Sequence, residues 1–190
     1  VNNKNIIVIV GPIASGKGTA IDYLQKNEFT KFSLSDEIRS DFQKKNPYDI
    51  PTREKLQDLG DEMRKQNGNE YWAKRIGEKI NKINKTKIVI DSVRNPAEIV
   101  WFKKNLKANI IAIDCDTKTS IKRAISRARD IDPATNLTKL KQAIKRDLGI
   151  DQPEHGQQVK KCIKLADKII TNNGSLQELE KKLKQLHIVS

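Results

Sequence analysis

The chain has 190 residues, with 37 Lys and Arg against 24 Asp and Glu, a formal charge of +13 at pH 7, 36% hydrophobic and 32% charged residues. This length supports one domain with a sizeable core, and this balance excludes a fibrous or disordered chain. No apolar stretch approaches the roughly 18 to 20 residues that cross a bilayer, so no membrane role is expected; the longest runs, Ile6 to Val10 and Ile110 to Ile113, are strand-sized.

Ile6 to Val10 is a continuous β-branched run closed by Gly11 and Pro12, the mark of a strand buried on both faces. Lys4 to Ala14 loosely imitates a secretory leader, but the same residues run straight into a glycine-rich turn with a mechanism of its own. A helical pattern follows Gly16, with Ala20, Tyr23 and Leu24 on one side, and Thr30 to Leu34 reads as a weaker strand. Residues 35–85 read as consecutive helices, Asp36 to Lys44, Pro51 to Gln66 and Asn69 to Ile83. Strand-like runs return at Lys87 to Ile90, Asn109 to Ile113 and Lys168 to Ile170, each followed by a helical segment: Asn95 to Leu106, Thr117 to Ala128 and Ser175 to Leu186. A second excursion, residues 130–156, is broken by Asp132-Pro133 and Gln152-Pro153 around a helix near Leu137 to Leu148. Strands alternating with helices imply a parallel sheet covered on both faces. The expectation is one domain over residues 1–190, with a core of 1–34, 86–116 and 157–190.

Gly11-Pro-Ile-Ala14-Ser15-Gly16-Lys17-Gly18-Thr19 stands between a predicted strand and a predicted helix. Glycines let successive backbone N–H groups turn toward phosphate oxygens, the helix N-terminus adds partial positive charge, and Lys17 reaches the β- and γ-phosphates. Gly18 replaces the usual Ser/Thr after the lysine, leaving Thr19 one place later. The Gly-Lys-Gly-Thr variant resembles adenylate kinase and its relatives, and over most of the chain the sequence resembles a P-loop nucleotide kinase. The resemblance implies ATP as donor, Mg²⁺ as cofactor, and a three-layer α/β fold with a five-stranded parallel sheet. It also implies a helical acceptor-binding insert at about 35–85 and a lid at about 117–156. Gly11, Ala14, Ser15, Gly16, Lys17, Gly18 and Thr19 are then the ATP-binding residues, with Thr19 also a metal candidate.

Asp91 closes a buried strand beside the expected loop, which suits the metal's water shell, and Arg94 three residues on could clamp a phosphate bidentately. The segment resembles the Asp-Gly-x-x-Arg of nucleoside monophosphate kinases, with Ser92 in place of glycine; a competing reading makes Asp91 the cap of the next helix. Leu34-Ser-Asp36-Glu-Ile-Arg39 resembles the acceptor-contacting segment of monophosphate kinases and of dephospho-coenzyme A kinase. An anionic acceptor calls for arginines, here Arg39 and Arg94, whereas an acceptor hydroxyl gains from a base, here Asp36. Arg53 and Arg64 lie in the helical insert and are candidates for the acceptor cleft, though either could be surface.

Residues 117–150 hold nine cations against three carboxylates. Arg123 and Arg127 share a helix face, and like charges four apart cost stability unless an anion compensates. The pair resembles the arginines at the start of a kinase lid, which stabilise charge on the transferred phosphoryl group; Arg146 is a further lid candidate. Asn172 to Gly174 resembles the turn that passes the donor adenine in related kinases, which makes Asn172 and Gly174 nucleotide-contact candidates. The expected partners are small nucleotides, with a nucleoside or deoxynucleoside monophosphate as acceptor; dephospho-coenzyme A kinase and a nucleic-acid-binding or regulatory P-loop NTPase are the alternatives. Aromatics at 5% and no RNA-binding signature argue against nucleic acid. Two cysteines, Cys115 and Cys162, are too few to staple the fold, which points to a reducing, cytoplasmic setting.

Overall fold

The five apolar runs become one sheet in the computed structural model: β1 (Asn5–Val10), β2 (Thr30–Ser33), β3 (Lys87–Asp91), β4 (Asn109–Asp114) and β5 (Lys168–Thr171). Residues 4–131 and 137–186 are described, without the side chains of 127–131 and 137. The strand order is β2-β3-β1-β4-β5 and every pair is parallel. Parallel neighbours require crossover connections, so helices come to lie on both faces.

β1 takes the centre because Ile6 to Val10 offers no polar side chain to water, and each of these residues is at most 3% exposed. The pleat sends alternate side chains to opposite faces. Ile6, Val8 and Val10 join Trp72, Ile76 and Ile80 of α4 (Tyr71–Asn81), Ile99 and Phe102 of α5 (Pro96–Leu106), and Val159 and Cys162 of α8 (Val159–Lys164). Ile7 and Ile9 join Ala20, Ile21 and Leu24 of α1 (Lys17–Lys26) and Leu179 and Leu183 of α9 (Leu176–Lys184). Each fully buried Ile, Leu or Phe contributes about 1.5–3 kcal/mol of hydrophobic stabilisation. The result is the three-layer α/β fold with a five-stranded parallel sheet that the sequence led us to expect.

The two helical excursions flank the C-terminal ends of the strands. α2 (Leu34–Lys45) and α3 (Arg53–Asn67) precede α4, and the Thr52 side chain caps α3 by accepting from the Lys55 N–H. α6 (Thr117–Ile131) and α7 (Leu137–Leu148) follow β4. Ile144 of α7 packs on Ala124 of α6 and on Ala14 of the glycine-rich turn, which seats the second excursion against that turn. α8 carried no expectation; its six residues hold together by burying Val159, Cys162 and Ile163 at i, i+3 and i+4 spacing. Cys115 and Cys162 are both free thiols.

Candidate nucleotide and acceptor site

β1 ends where β4 runs alongside, and the chain must turn there with no room for a side chain. A Cβ on Gly11 would stand 2.1 Å from the Ile113 carbonyl oxygen. The turn then closes with the Ser15 N–H donating to the Pro12 carbonyl at 3.2 Å, and Ala14 and Gly16 both take positive φ, 61° and 104°. A Cβ on Gly16 would meet the Asn172 side-chain nitrogen at 2.3 Å, so only glycine lets that amide reach the Ser15 carbonyl, to which it donates at 2.8 Å. Gly18 faces open space. α1 starts at Lys17 with no side-chain cap and no carboxylate in its first turn, which leaves its N-terminal amides and their partial charge directed at the loop. Ser15 Oγ is fully buried and makes no hydrogen bond among the described residues.

The Lys17 ammonium folds over the loop and donates to the carbonyls of Gly11 and Pro12, both at 2.8 Å. Burial pulls its pKa down to about 8, and the Arg94 guanidinium adds to the fall, while Asp147 and Asp91 oppose it. The Arg94 charge also acts on Arg53, an exposed residue whose guanidinium is partly withdrawn from water: that withdrawal first, and then Arg94, lower its affinity for its proton. Arg94 is thus near enough to influence both Lys17 and Arg53, and Arg53 makes no hydrogen bond or ion pair among the described residues.

On the other side of the loop, Arg123 donates to the carbonyls of Asn172 at 2.8 Å and Gly174 at 2.7 Å, and so ties α6 to the β5–α9 turn. Asn172 itself is 6% exposed and holds the phosphate loop. Arg123, Asn172, Gly174 and Gly16 are therefore one constellation. The side chain of Arg127 lies outside the described residues.

Asp91 stands at the end of β3 and accepts from the Ser92 N–H at 2.6 Å, with Lys31 at 3.8 Å. It does not cap the next helix: Asn95 does that, in a reciprocal capping box with Glu98. Ser92, held at a φ of 66°, shares a triangle of hydroxyls with Ser33 and Ser35, at 2.9, 3.2 and 3.4 Å. Asp36 and Arg39 are exposed on α2 and make no hydrogen bond or ion pair among the described residues, to each other or to the loop.

Arg64 corrects an expectation. It does not line the cleft; it is 2% exposed, with its Nη1 on Asp61 at 3.0 Å and its Nε on Glu98 at 2.8 Å. At that exposure, and paired on both sides in the core, the guanidinium is closed off from a substrate in the cleft. Arg146, a lid candidate, is likewise engaged, by Asp58 at 2.7 Å and Asp61 at 2.6 Å. One residue escaped the sequence reading altogether: Asp147, fully buried, accepts from the Ile13 N–H of the phosphate loop at 3.0 Å and from the Arg94 guanidinium. Its signal was a carboxylate on the apolar stripe of α7, among Leu140, Ile144 and Leu148.

The residues present fit a nucleotide tail. The loop offers uncapped amides, an ammonium and an unpartnered buried hydroxyl, the donor set that phosphate oxygens accept from. Among the described residues no group of three or more His, Cys, Asp or Glu could cage a metal ion. That is compatible with Mg²⁺, which keeps most of its waters and takes only one or two protein oxygens plus phosphate.

Fold and loop together define a P-loop domain with the kinase fold. The AAA domain family matches residues 7–147. Among solved structures, shikimate kinase from Bacteroides thetaiotaomicron superposes with a TM-score of 0.57 at 11% identity, covering 96% of each chain. Dephospho-CoA kinase from Campylobacter jejuni superposes at 0.50 with 20% identity over 98% of each chain. The chain belongs to the AAA domain family and to the UPF0200 proteins. It is 30% identical over 187 residues to UPF0200 protein PH1008 of Pyrococcus horikoshii, with 95% of each chain covered. It is 32% identical over 182 residues to a UPF0200 protein of Sulfurisphaera tokodaii, covering 95% of this chain and 94% of that one.

Proposed function

We propose that the chain transfers the γ-phosphoryl group of ATP to a nucleotide acceptor that already carries a phosphate, a nucleoside or deoxynucleoside monophosphate. The observation that supports the acceptor class is that Arg94 lies near enough to both Lys17 and Arg53 to disfavour the charged form of each. Cations that disfavour one another are stabilised when anions enter beside them, and two phosphate-bearing substrates supply those anions. A hydroxyl acceptor would call on Asp36 as base, yet Asp36 is exposed and bonded to nothing that would aim it.

In this reading the amides of residue 14 and residues 16–19 surround the donor's β-phosphate, and Lys17 leaves the Gly11 and Pro12 carbonyls to follow the migrating charge. Thr19 and Asp91 hold the hydrated Mg²⁺, which when bound neutralises charge on the β- and γ-oxygens. Arg123 sets the β5–α9 turn, with Asn172 and Gly174, along the donor base. Arg94 stands between donor and acceptor phosphates, and Arg53 and Arg39 meet the acceptor from the insert.

An ATP-consumption screen over the ribo- and deoxynucleoside monophosphates and dephospho-coenzyme A tests this. Turnover with one or more monophosphates is the expected result. Turnover with dephospho-coenzyme A alone would replace the acceptor class, and hydrolysis indifferent to every acceptor would make the protein an NTPase.

A further inference from the structure

Asp147 is a fully buried carboxylate that the proposed transfer does not use. Burying a charge costs several kcal/mol and is sustained only when both oxygens are engaged. Here one oxygen accepts from the Ile13 N–H, 134 residues away in sequence, and the other from Arg94 Nη1, 53 residues away. Arg94 is held at its main chain as well: its N–H donates to Glu98 Oε2 at 3.0 Å and its carbonyl accepts from the Gln158 N–H at 2.7 Å.

These contacts close on themselves. The other oxygen of Glu98 takes Arg64, Arg64 takes Asp61, and Asp61 takes Arg146, the residue before Asp147 on α7. The circuit therefore runs from the Arg94 side chain through α7, α3 and α5 and returns to the Arg94 main chain. Buried ion pairs of this kind add little net stability over apolar packing, but they select one geometry. A guanidinium has five N–H donors in a rigid fork, so fixing Nη1 on Asp147 fixes the direction in which the remaining donors point. The Asp147 charge also opposes the effect of Arg94 on Lys17 and on Arg53.

We propose that Asp147 is a positioning residue: it locks the Arg94 guanidinium and the Ile13 end of the phosphate loop into one preset geometry, so that arriving phosphates meet an aimed cation. The role rests on the reading that Arg94 contacts the reacting phosphates. Aiming, as distinct from binding, acts mainly on turnover, because a misplaced group near the reacting atoms costs up to about 100-fold in rate.

The test compares Arg94→Gln, Asp147→Asn and the double variant in the full chain, with kcat and KM measured for ATP and for the acceptor that the screen selects. Asp147→Asn is expected to lower kcat about 10- to 100-fold while the KM for ATP moves less than about threefold. The double variant is expected to be no slower than Arg94→Gln alone, because Asp147 acts through Arg94. A kcat within about twofold of the parent overturns the proposal, as does a double variant in which the two losses multiply. Should Asp147→Asn fail to fold, the double variant leaves neither charge unpaired, and its kcat decides the matter instead: equal to that of Arg94→Gln it supports the proposal, and well below it overturns it. Amide exchange at Ile13, measured without substrate, separates this proposal from the functional one. Faster exchange in Asp147→Asn supports the lock even if no acceptor stimulates turnover, and unchanged exchange overturns it in an active enzyme or an inactive one.

Discussion

Titrating Lys17 against nucleotide binding probes the phosphate loop at its most perturbed group. In the unliganded protein the ammonium falls from 10.5 to about 8, chiefly through burial and secondly through Arg94. That shift corresponds to about 3 kcal/mol disfavouring the charged form. The folded pKa is depressed, so the folded protein binds fewer protons than the unfolded chain between pH 8 and 10.5, and stability from this group rises with pH across that window. A phosphate beside the ammonium reverses the balance and raises its pKa, so binding draws in protons. At pH 8 half of the free lysines are neutral, and uptake should approach about half a proton per nucleotide bound. Affinity should fall about tenfold between pH 7 and pH 9 as ammonium is lost from the free protein. Calorimetry of magnesium-nucleotide binding in two buffers of different ionisation enthalpy reads both quantities, and Lys17→Arg, charged throughout, should flatten both. Affinity independent of pH over this range, or proton release at pH 8, would refute the placement of Lys17 at the phosphates.

Arg53→Ala removes a charge-assisted contact worth about 1.5–3 kcal/mol; steady-state kinetics should show the acceptor KM rising tenfold or more with the KM for ATP unmoved. Arg123→Ala frees the carbonyls of Asn172 and Gly174, and each lost hydrogen bond costs about 1 kcal/mol. The expected result is weaker ATP binding at unchanged acceptor KM, and equal changes in both would contradict the donor-side role. Arg64→Leu leaves Glu98 with a buried charge and no cation, a loss of about 3–5 kcal/mol. Thermal unfolding should drop by about ten degrees, and an unchanged midpoint would show that Arg64 is not a core residue. Gly11→Ala drives a methyl group into the Ile113 carbonyl, so a loss of at least about 1–3 kcal/mol is expected from denaturant titration.

What the sequence made legible was what short-range physics writes into it. The Ile6 to Val10 run announces a strand buried on both faces, and the glycines beside it announce a turn that side chains would block. The helix expected over Asn95 to Leu106 is present, but its start is set by the Asn95–Glu98 capping box and not by Asp91, the cap that the competing reading names. What stayed hidden was settled by pairing across the chain. Arg64 reads as a candidate for the acceptor cleft because its partner Glu98 is 34 residues away, and the same distance hides how deeply Glu98 is buried. Asp147 depends on Ile13, 134 residues earlier, and no spacing rule reaches so far. α8 was missed because six residues carry less than two turns of periodicity. Asp36 and Arg39, by contrast, stood out by motif and spacing, yet they occupy an exposed stretch of α2 with no bonded partner among the described residues.

The central claim is phosphoryl transfer from a nucleotide seated in the loop of residues 11–19 to a phosphate-bearing acceptor. Incubating the protein with γ-labelled ATP and the selected monophosphate, and then separating the nucleotides, follows the transferred group itself. Label in the acceptor's diphosphate, absent from the Lys17→Ala protein, is the predicted result. Label found only as inorganic phosphate, at a rate the acceptor does not change, would contradict it.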